Sequence, residues 1–261
     1  MPAIITLTTD WGLLDHYLGA VKGSIFSRLP DARIVDITHL IPPFDLKKAA
    51  FVLRNAYRNF PDNTIHIIGV STEESESVPH VVVKNNQHYF IGADNGIFTL
   101  LFNGLPEEIY ELNIPQDTSY FTFSTRDRFV KAAVHLAKGN DITEIGDSRN
   151  QLTTYMNMQP HLNGNQLQAR IMYVDNYQNL YLNVTADEFR QIGQGRSFSL
   201  INRGKPEKIK MVHDAYGEVP EGEIVVLFST TGFVEIAVNR GTAASLLGYK
   251  PDQQVLIEFH D

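Results

Sequence analysis

Residues Thr64 to Val70 read Thr-Ile-His-Ile-Ile-Gly-Val, apolar nearly throughout instead of alternating with polar side chains. A strand of that kind is buried on both faces, the condition of an inner strand in a parallel sheet covered by helices. The preceding sequence supplies the other layers. A short apolar strand, Ile4 to Leu7, leads to Leu18, Val21, Ile25, Phe26 and Leu29 at helical spacing, and Pro30 ends that segment. Arg33 to Ile37 is a second β-rich run, and Asp45 is placed to cap a helix whose inner face is Leu46, Ala49, Ala50, Leu53 and Tyr57. Beyond the apolar strand, Val81–Val83 and Tyr89–Ile91 flank the turn-prone Asn85-Asn86 and predict a hairpin. A last helix, Asp127 to Lys138, turns Phe129, Ala133 and Leu136 inward. Residues 1–150 therefore read as an α/β domain with a mostly parallel sheet.

The pattern then changes. Residues 151–166 are polar and read as a connector. From 167 to 261 come short β-rich runs: Gln168–Val174, Leu180–Val184, Ser197–Ile201, Ile224–Phe228, Phe233–Val238 and Gln254–Phe259. Gly and Asn/Asp punctuate them closely, which predicts a smaller all-β, barrel-like C-terminal domain.

Composition removes several function classes. The 22 Lys and Arg stand against 30 Asp and Glu, a net charge of −8 with no basic stripe, which argues against a nucleic-acid partner. With no cysteine among 261 residues, disulfides, thiolate zinc sites and cysteine nucleophiles are excluded together. No basic n-region with an apolar h-region opens the chain, and no apolar run approaches the roughly 20 residues that span a bilayer. A cytoplasmic protein with no membrane partner is the expectation. No strand leads into a Gly-rich dinucleotide loop, and neither a phosphate-binding lysine loop nor a paired-histidine zinc motif is present.

What remains is Leu7-Thr8-Thr9-Asp10-Trp11-Gly12-Leu13-Leu14-Asp15. It sets two carboxylates at the C-terminal edge of a strand, where open α/β sheets bind ligands. An anionic loop there suits hydroxyls or positive charge better than phosphate. Caps for the turn and the helix are an equal reading of Asp10 and Asp15. His39 follows a strand and is either catalytic or hydrogen-bonded structure. Glu73, Glu74 and Glu76 are either part of a site or a solvated loop.

Several segments in order and spacing resemble one family. They are Thr8-Thr9-Asp10-Trp11-Gly12 with Asp15, Lys22-Gly23, Asp36-Ile37-Thr38-His39, Pro43-Phe44-Asp45 with Ala49-Ala50, Phe60-Pro61 and Asp94-Asn95-Gly96. The series continues with Arg126-Asp127, His135-Leu136-Ala137, Asp175 with Asn179, and Gly232-Phe233-Val234-Glu235-Ile236-Ala237-Val238-Asn239. The set is similar to the S-adenosyl-L-methionine hydroxide adenosyltransferases, whose relatives include the fluorinase and chlorinase. The resemblance implies cleavage between C5′ of the adenosyl group and the sulfonium sulfur, with no separate cofactor and no metal. It implies that Asp10 accepts hydrogen bonds from the ribose hydroxyls, Phe44 packs on the ribose, and Asp15 and Asp175 accept the methionine ammonium. Asn179 then reads adenine with a donor and an acceptor side by side, Tyr177 and Tyr216 stack on the base, and Thr230 and Thr231 hold the methionine carboxylate. Val238 joins the substrate-binding set. The resemblance further implies a homotrimer with interfacial sites.

The chain departs from that family where water is activated. The hydroxide branch carries an Asp and an Arg in a V-D-P-G-V-G-T-x-R stretch, which here reads Val70-Ser71-Thr72-Glu73-Glu74-Ser75-Glu76-Ser77-Val78. Its His belongs to F-H-G-R-D, here Phe123-Ser124-Thr125-Arg126-Asp127. Ser71 and Ser124 stand in for the Asp and the His, and no Arg follows Ser71. The catalytic candidates are accordingly Ser71, Glu74, Ser124 and Thr125. Three readings stay open: hydrolysis through a replacement network, delivery of another nucleophile such as chloride, and ligand binding without catalysis. Thr125 falls where a fluorinase serine sits, whereas a carboxylate near a halide raises the cost of the anion.

Overall fold

The computed structural model describes residues 2–260 except 103, 118, 119, 121, 157, 158, 203, 204 and 210. The chain divides into two compact units, Met1–Met156 and Asn157–Asp261.

In unit 1, β1 (Ile4–Thr9), α1 (His16–Arg28), β2 (Arg33–Thr38), α2 (Leu46–Tyr57) and β3 (Ile65–Gly69) alternate strictly. Then come the hairpin β4 (His80–Asn85) and β5 (His88–Ala93), α3 (Ile97–Phe102), β6 (Glu108–Leu112), a π-turn (Thr125–Phe129) running into α4 (Val130–Ala137), and β7 (Gly146–Arg149). The sheet order is β2-β1-β3-β5-β4-β6-β7. Pairings among β2, β1, β3 and β5 are parallel, and β4, β6 and β7 extend the sheet antiparallel. Chain direction from β1 goes one way to β2 and the other way to β3, so a topological switch point opens at the C-terminal ends of β1 and β3.

The two faces of the sheet carry separate cores. Ile5, Leu7, Ile65 and Ile67 pack with Val21 and Ile25 of α1 and with Val130, Ala133 and Val134 of α4. On the opposite face Ile68, Val81, Val83 and Phe90 pack with Ala49, Ala50, Leu53 and Tyr57 of α2 and with α3. All five residues of β3 are buried, as a strand covered on both sides requires. Helix α2 begins where its cap predicts, with Asp45 accepting from Lys48 N at 2.9 Å. The hairpin turn falls at Asn86-Gln87, both at positive φ (+49° and +62°), the backbone of a type I′ turn.

Unit 2 is an antiparallel sheet in the order β12-β11-β15-β9-β10-β14-β13, with β8 added on β9. The strands are β8 (His161–Asn163), β9 (Gln166–Val174), β10 (Leu180–Thr185), β11 (Ser197–Asn202), β12 (Lys205–Ile209), β13 (Ile224–Phe228), β14 (Phe233–Val238) and β15 (Gln254–His260). The sheet curls until its end strands β12 and β13 come into contact, giving the barrel-like form. Its inner face, with Phe189 of α5 (Ala186–Gly193) and Leu247 of α6 (Ala243–Leu247), forms one core. Strand β8 lies inside the stretch whose polarity reads as a connector. Among the described residues, no helix is long and apolar enough to cross a membrane.

Candidate active site

At the end of β1 the Asp10 carboxylate is not a cap for its own turn. Its Oδ2 accepts the backbone N–H of Phe44 at 3.0 Å, 34 residues on, and its Oδ1 has no partner among the described residues. That bond pins the turn before α2, where Phe44 sits at φ +66° and is 74% exposed. A left-handed backbone at a non-glycine residue with an aromatic ring turned to solvent is the kind of strain that binding sites retain. Asp15 occupies the N-cap position of α1 but makes no side-chain cap bond, so its exposed carboxylate is also uncommitted.

The floor under Asp10 is closely built. Trp11 lies across Gly69, where a Cβ would stand 2.5 Å from Trp11 Cζ2; only glycine fits at the end of β3. The indole packs edge-on to Phe123, which in turn meets Tyr17. His39 is buried and tied to its neighbours. Its Nδ1 is 2.8 Å from Thr9 Oγ1, its Nε2 is 3.1 Å from Asp36 Oδ1, and Asp36 Oδ2 is 2.6 Å from Lys22 Nζ. Burial works against the Asp36 charge, but Lys22 and His39 outweigh it and hold the carboxyl below its usual range.

Across the switch point, Ser71 sits at φ +49°, and its carbonyl accepts from Asn95 Nδ2 at 2.9 Å. The loop that follows is not a free acidic run. Glu74 is ion-paired with the buried Arg128, whose Nη1 also lies 3.1 Å from His80 Nδ1 and whose Nη2 donates to Leu112 O at 2.8 Å. His80 Nε2 is 3.0 Å from Thr72 O. Since a guanidinium only donates, His80 Nδ1 accepts and Nε2 carries the proton given to Thr72. Burial, with the nearby Arg128, pushes the His80 pKa down, consistent with a neutral ring. The π-turn, whose extra residue per turn often marks functional positions, packs against β3 and β5 and holds Ser124 at its start. Ser124 and Thr125 are both buried. Ser124 Oγ accepts from Gln116 Nε2 at 3.2 Å. Thr125 Oγ1 and Gln116 Oε1 have no hydrogen-bond partner among the described residues. Buried polar atoms left this way call for water or ligand.

In unit 2, Asp175 Oδ1 accepts the Asn179 backbone N–H at 2.8 Å, and Asp175 Oδ2 faces Asn179 Nδ2 at 3.3 Å. Tyr177, at the tip of this turn, is 74% exposed. The Tyr216 hydroxyl donates to Glu235 Oε1 at 2.7 Å. Thr230 is exposed, and Thr231 hydrogen-bonds Ser229 by both its hydroxyl and its backbone N–H. Val238 is buried in the core of the unit and its carbonyl accepts Gly241 N, so it offers little side chain to a ligand. No local sequence pattern singles out Arg128, His80 or Gln116. Arg128 and Glu74 are 54 positions apart, and no local pattern joins them.

The model of the SAM hydroxide adenosyltransferase N-terminal domain matches residues 5–146, and that of the C-terminal domain matches residues 169–256. The chain belongs to this family. Among its relatives, the (R)-S-adenosyl-L-methionine hydrolase of Salinispora tropica is 27% identical over 263 residues, covering 97% of each chain. The protein of the same name from Thermus thermophilus is 28% identical over 266 residues, covering 95% of this chain and 96% of its own. A crystal structure of an uncharacterized conserved protein from Thermotoga maritima matches with a TM-score of 0.88 and 31% identity, over 97% of this chain and 99% of that one. In this member of the SAM hydroxide adenosyltransferase family Asp10 and Asp15 lie in unit 1, and Asp175 and Asn179 in unit 2. Glu74, Arg128 and His80 form one cluster that joins the loop after β3, the π-turn and the start of β4.

Proposed function

We propose that this protein cleaves the C5′–sulfur bond of S-adenosyl-L-methionine with water, releasing adenosine and L-methionine. Family membership across both units carries this reading. The uncommitted Asp10 Oδ1 beside the exposed Phe44 ring supports it locally, because a carboxylate has lone pairs for two ribose hydroxyls. Asp15 and Asp175 are assigned to the methionine ammonium, Asn179, Tyr177 and Tyr216 to the base, and Thr230 and Thr231 to the methionine carboxylate. Val238 is assigned only a backbone position along the ligand.

The reaction is a displacement at carbon. Water oxygen attacks C5′ opposite sulfur, the C5′–S electron pair leaves on sulfur, and the sulfonium becomes a neutral thioether. No general acid is needed for that leaving group. The enzyme has to hold one water about 3–3.5 Å from C5′, in line and stripped of other solvent. Ser71, Ser124 and Thr125 are assigned to holding it, which suits the unpaired Thr125 Oγ1 and Gln116 Oε1. Hydroxyls of this kind orient water but contribute little basicity, so Glu74 is assigned the proton that the water loses.

The test is incubation with S-adenosyl-L-methionine, with and without chloride, followed by chromatography for adenosine, methionine and 5′-chloroadenosine. Adenosine and methionine in equal amounts support hydrolysis. A 5′-chloro product, or binding without turnover, refutes it. Asp10→Ala is expected to abolish binding, and unchanged affinity would remove the ribose assignment. A homotrimer in the cytoplasm completes the reading, the trimer being checked by light scattering and the location by fractionation.

A further inference from the structure

The chain leaving β3 is caught by one side chain, that of Asn95. In an extended strand successive residues face opposite ways. Here the carbonyls of Val70 and Ser71 both meet the same amide, with Asn95 Nδ2 3.3 Å from Val70 O and 2.9 Å from Ser71 O. The chain turns at Ser71, whose φ of +49° lies in the left-handed region that few residues other than glycine adopt. On its other side Asn95 Oδ1 accepts the Ile97 backbone N–H at 3.2 Å, at the start of α3. A primary amide has two N–H donors and one carbonyl, and each of them has a partner here. Turned over, the amide would set oxygen against two carbonyls and N–H against N–H, so its sense is fixed.

The residues around Asn95 are themselves tied down. Asp94 is buried, donates its backbone N–H to Pro79 O at 2.8 Å and accepts Thr153 N on Oδ1 at 2.9 Å. Gly96 sits at φ +97°, and a Cβ there would stand 3.1 Å from Tyr155 Cβ. Tyr155 N in turn donates to Thr99 Oγ1 at 2.9 Å, one turn into α3. Asn95 therefore rests on a fixed base, and the loop after β3 takes its starting position from it. A left-handed serine persists where its surroundings over-determine it, and these two hydrogen bonds supply that constraint. None of the roles assigned above uses Asn95.

We propose that Asn95 is a positioning residue for the displacement: by holding the carbonyls of Val70 and Ser71 it keeps Ser71 in its left-handed turn, and so sets where the Ser71 hydroxyl meets the attacking water. The inference rests on the assignment of Ser71 to that water. Asn95 acts through Ser71 alone, since its own polar groups are spent on the backbone. Its loss therefore acts on rate and not on binding. Water held off the line to C5′ reacts slowly, while the ligand's own contacts are untouched. A role confined to capping α3 needs only the Asn95 carbonyl, whereas positioning needs its N–H groups.

The experiment is steady-state adenosine release from S-adenosyl-L-methionine by the whole chain and by Asn95→Asp, Asn95→Ala, Ser71→Gly and the double variant Asn95→Asp/Ser71→Gly. Asn95→Asp keeps an oxygen for Ile97 N but turns another towards the two carbonyls. Asn95→Ala removes all three bonds and adds no charge. Both should lower kcat by about tenfold or more and leave KM within about twofold. Ser71→Gly removes the hydroxyl and lets the backbone keep its turn unaided. On that background Asn95→Asp should cost no more than about twofold further, because the group it positions is gone. A wild-type rate in Asn95→Asp beside a slow Asn95→Ala overturns the proposal and leaves only the cap. Losses that multiply in the double variant, or a rise in KM that matches the fall in rate, overturn it as well. Ser71→Gly at full rate overturns the inference and leaves hydrolysis standing. A wild type that releases no adenosine refutes hydrolysis itself, and the inference falls with it.

Discussion

His66 offers a measurement of how much unit 1 depends on a neutral imidazole. It sits in β3 with no solvent exposure, its Nδ1 2.7 Å from Thr6 Oγ1 and its Nε2 3.3 Å from His88 Nδ1. The ring stacks on Phe90 at 4.8 Å and meets Tyr57 and Phe60 edge-on. Burial, with His88 adding to it, pushes its pKa down from 6.5 to about 3. Because the folded pKa is the lower one, the unfolded chain binds the proton first on acidification. The stability this confers is complete above pH 6.5 and is lost progressively as pH falls towards 3. At about 1.4 kcal/mol per pKa unit, His66 alone should cost roughly 2.5 kcal/mol between pH 7 and pH 4.5.

The perturbation is His66→Phe, which keeps a ring against Phe90 and removes the titration. It leaves the Thr6 hydroxyl unpaired, a penalty that does not vary with pH. Urea unfolding followed by the fluorescence of Trp11, the chain's one tryptophan, reports unit 1 directly. Wild type and variant share the titrations of His80 and of the surface carboxylates, so only the difference between their pH dependences matters. The variant is less stable at pH 7, and its deficit should shrink by about 2.5 kcal/mol by pH 4.5. A deficit that stays constant across that range refutes the argument, because His66 would then have been free to take a proton in the folded protein.

Three further outcomes follow from the geometry. Gly69→Ala drives a Cβ into the Trp11 indole, and should destabilise unit 1 by about 1–3 kcal/mol and alter the Trp11 emission spectrum of the folded state. Thr185→Ala removes the capping box at the start of α5, where Thr185 Oγ1 accepts Glu188 N and Glu188 accepts Thr185 N, and should cost about 1 kcal/mol in urea unfolding followed by circular dichroism. Arg128→Met strips the donor from Leu112 O and from His80 Nδ1. It should cost about 1–3 kcal/mol by the Trp11 assay, with the half-exposed Glu74 adding little.

Legibility followed the range of the interactions. Helix α2 is plain in the sequence because its signals are local: a capping Asp45 and an apolar face repeated at helical spacing. The hairpin β4–β5 is equally plain, though its turn lies one residue beyond the Asn85-Asn86 pair, at Asn86-Gln87. Helix α3 is hidden because Ile-Phe-Thr-Leu-Leu-Phe is apolar all round and carries no period. Strand β7, Gly-Asp-Ser-Arg, is an edge strand held by its ladder to β6, not by its side chains. The helix read over Asp127–Lys138 starts as a π-turn at Thr125, a register change that no pattern of apolar residues encodes.

The same division runs through the site. Asp10 could be singled out because it follows a strand and precedes a helix, and the fold then decides its use by bringing Phe44 N to it. The loop after β3 could not be read, because its meaning depends on a partner outside it. Glu74 in the bare sequence is one of three exposed acids and would repel any anion nearby. Paired with Arg128, which is also fixed to Leu112 O and His80, it becomes one corner of a cluster whose charges largely cancel. Its substitution should therefore alter where the loop sits more than how the site tolerates charge. Glu74→Gln, which keeps an oxygen for Arg128, should then retain most adenosine release if Glu74 only braces the loop. If Glu74 takes the proton from water, release should fall by about 10²-fold or more, with the affinity for S-adenosyl-L-methionine unchanged. Steady-state rates and a binding titration on the same variant separate these outcomes, and retained turnover would return the proton to solvent and leave Ser71, Ser124 and Thr125 to position the water alone.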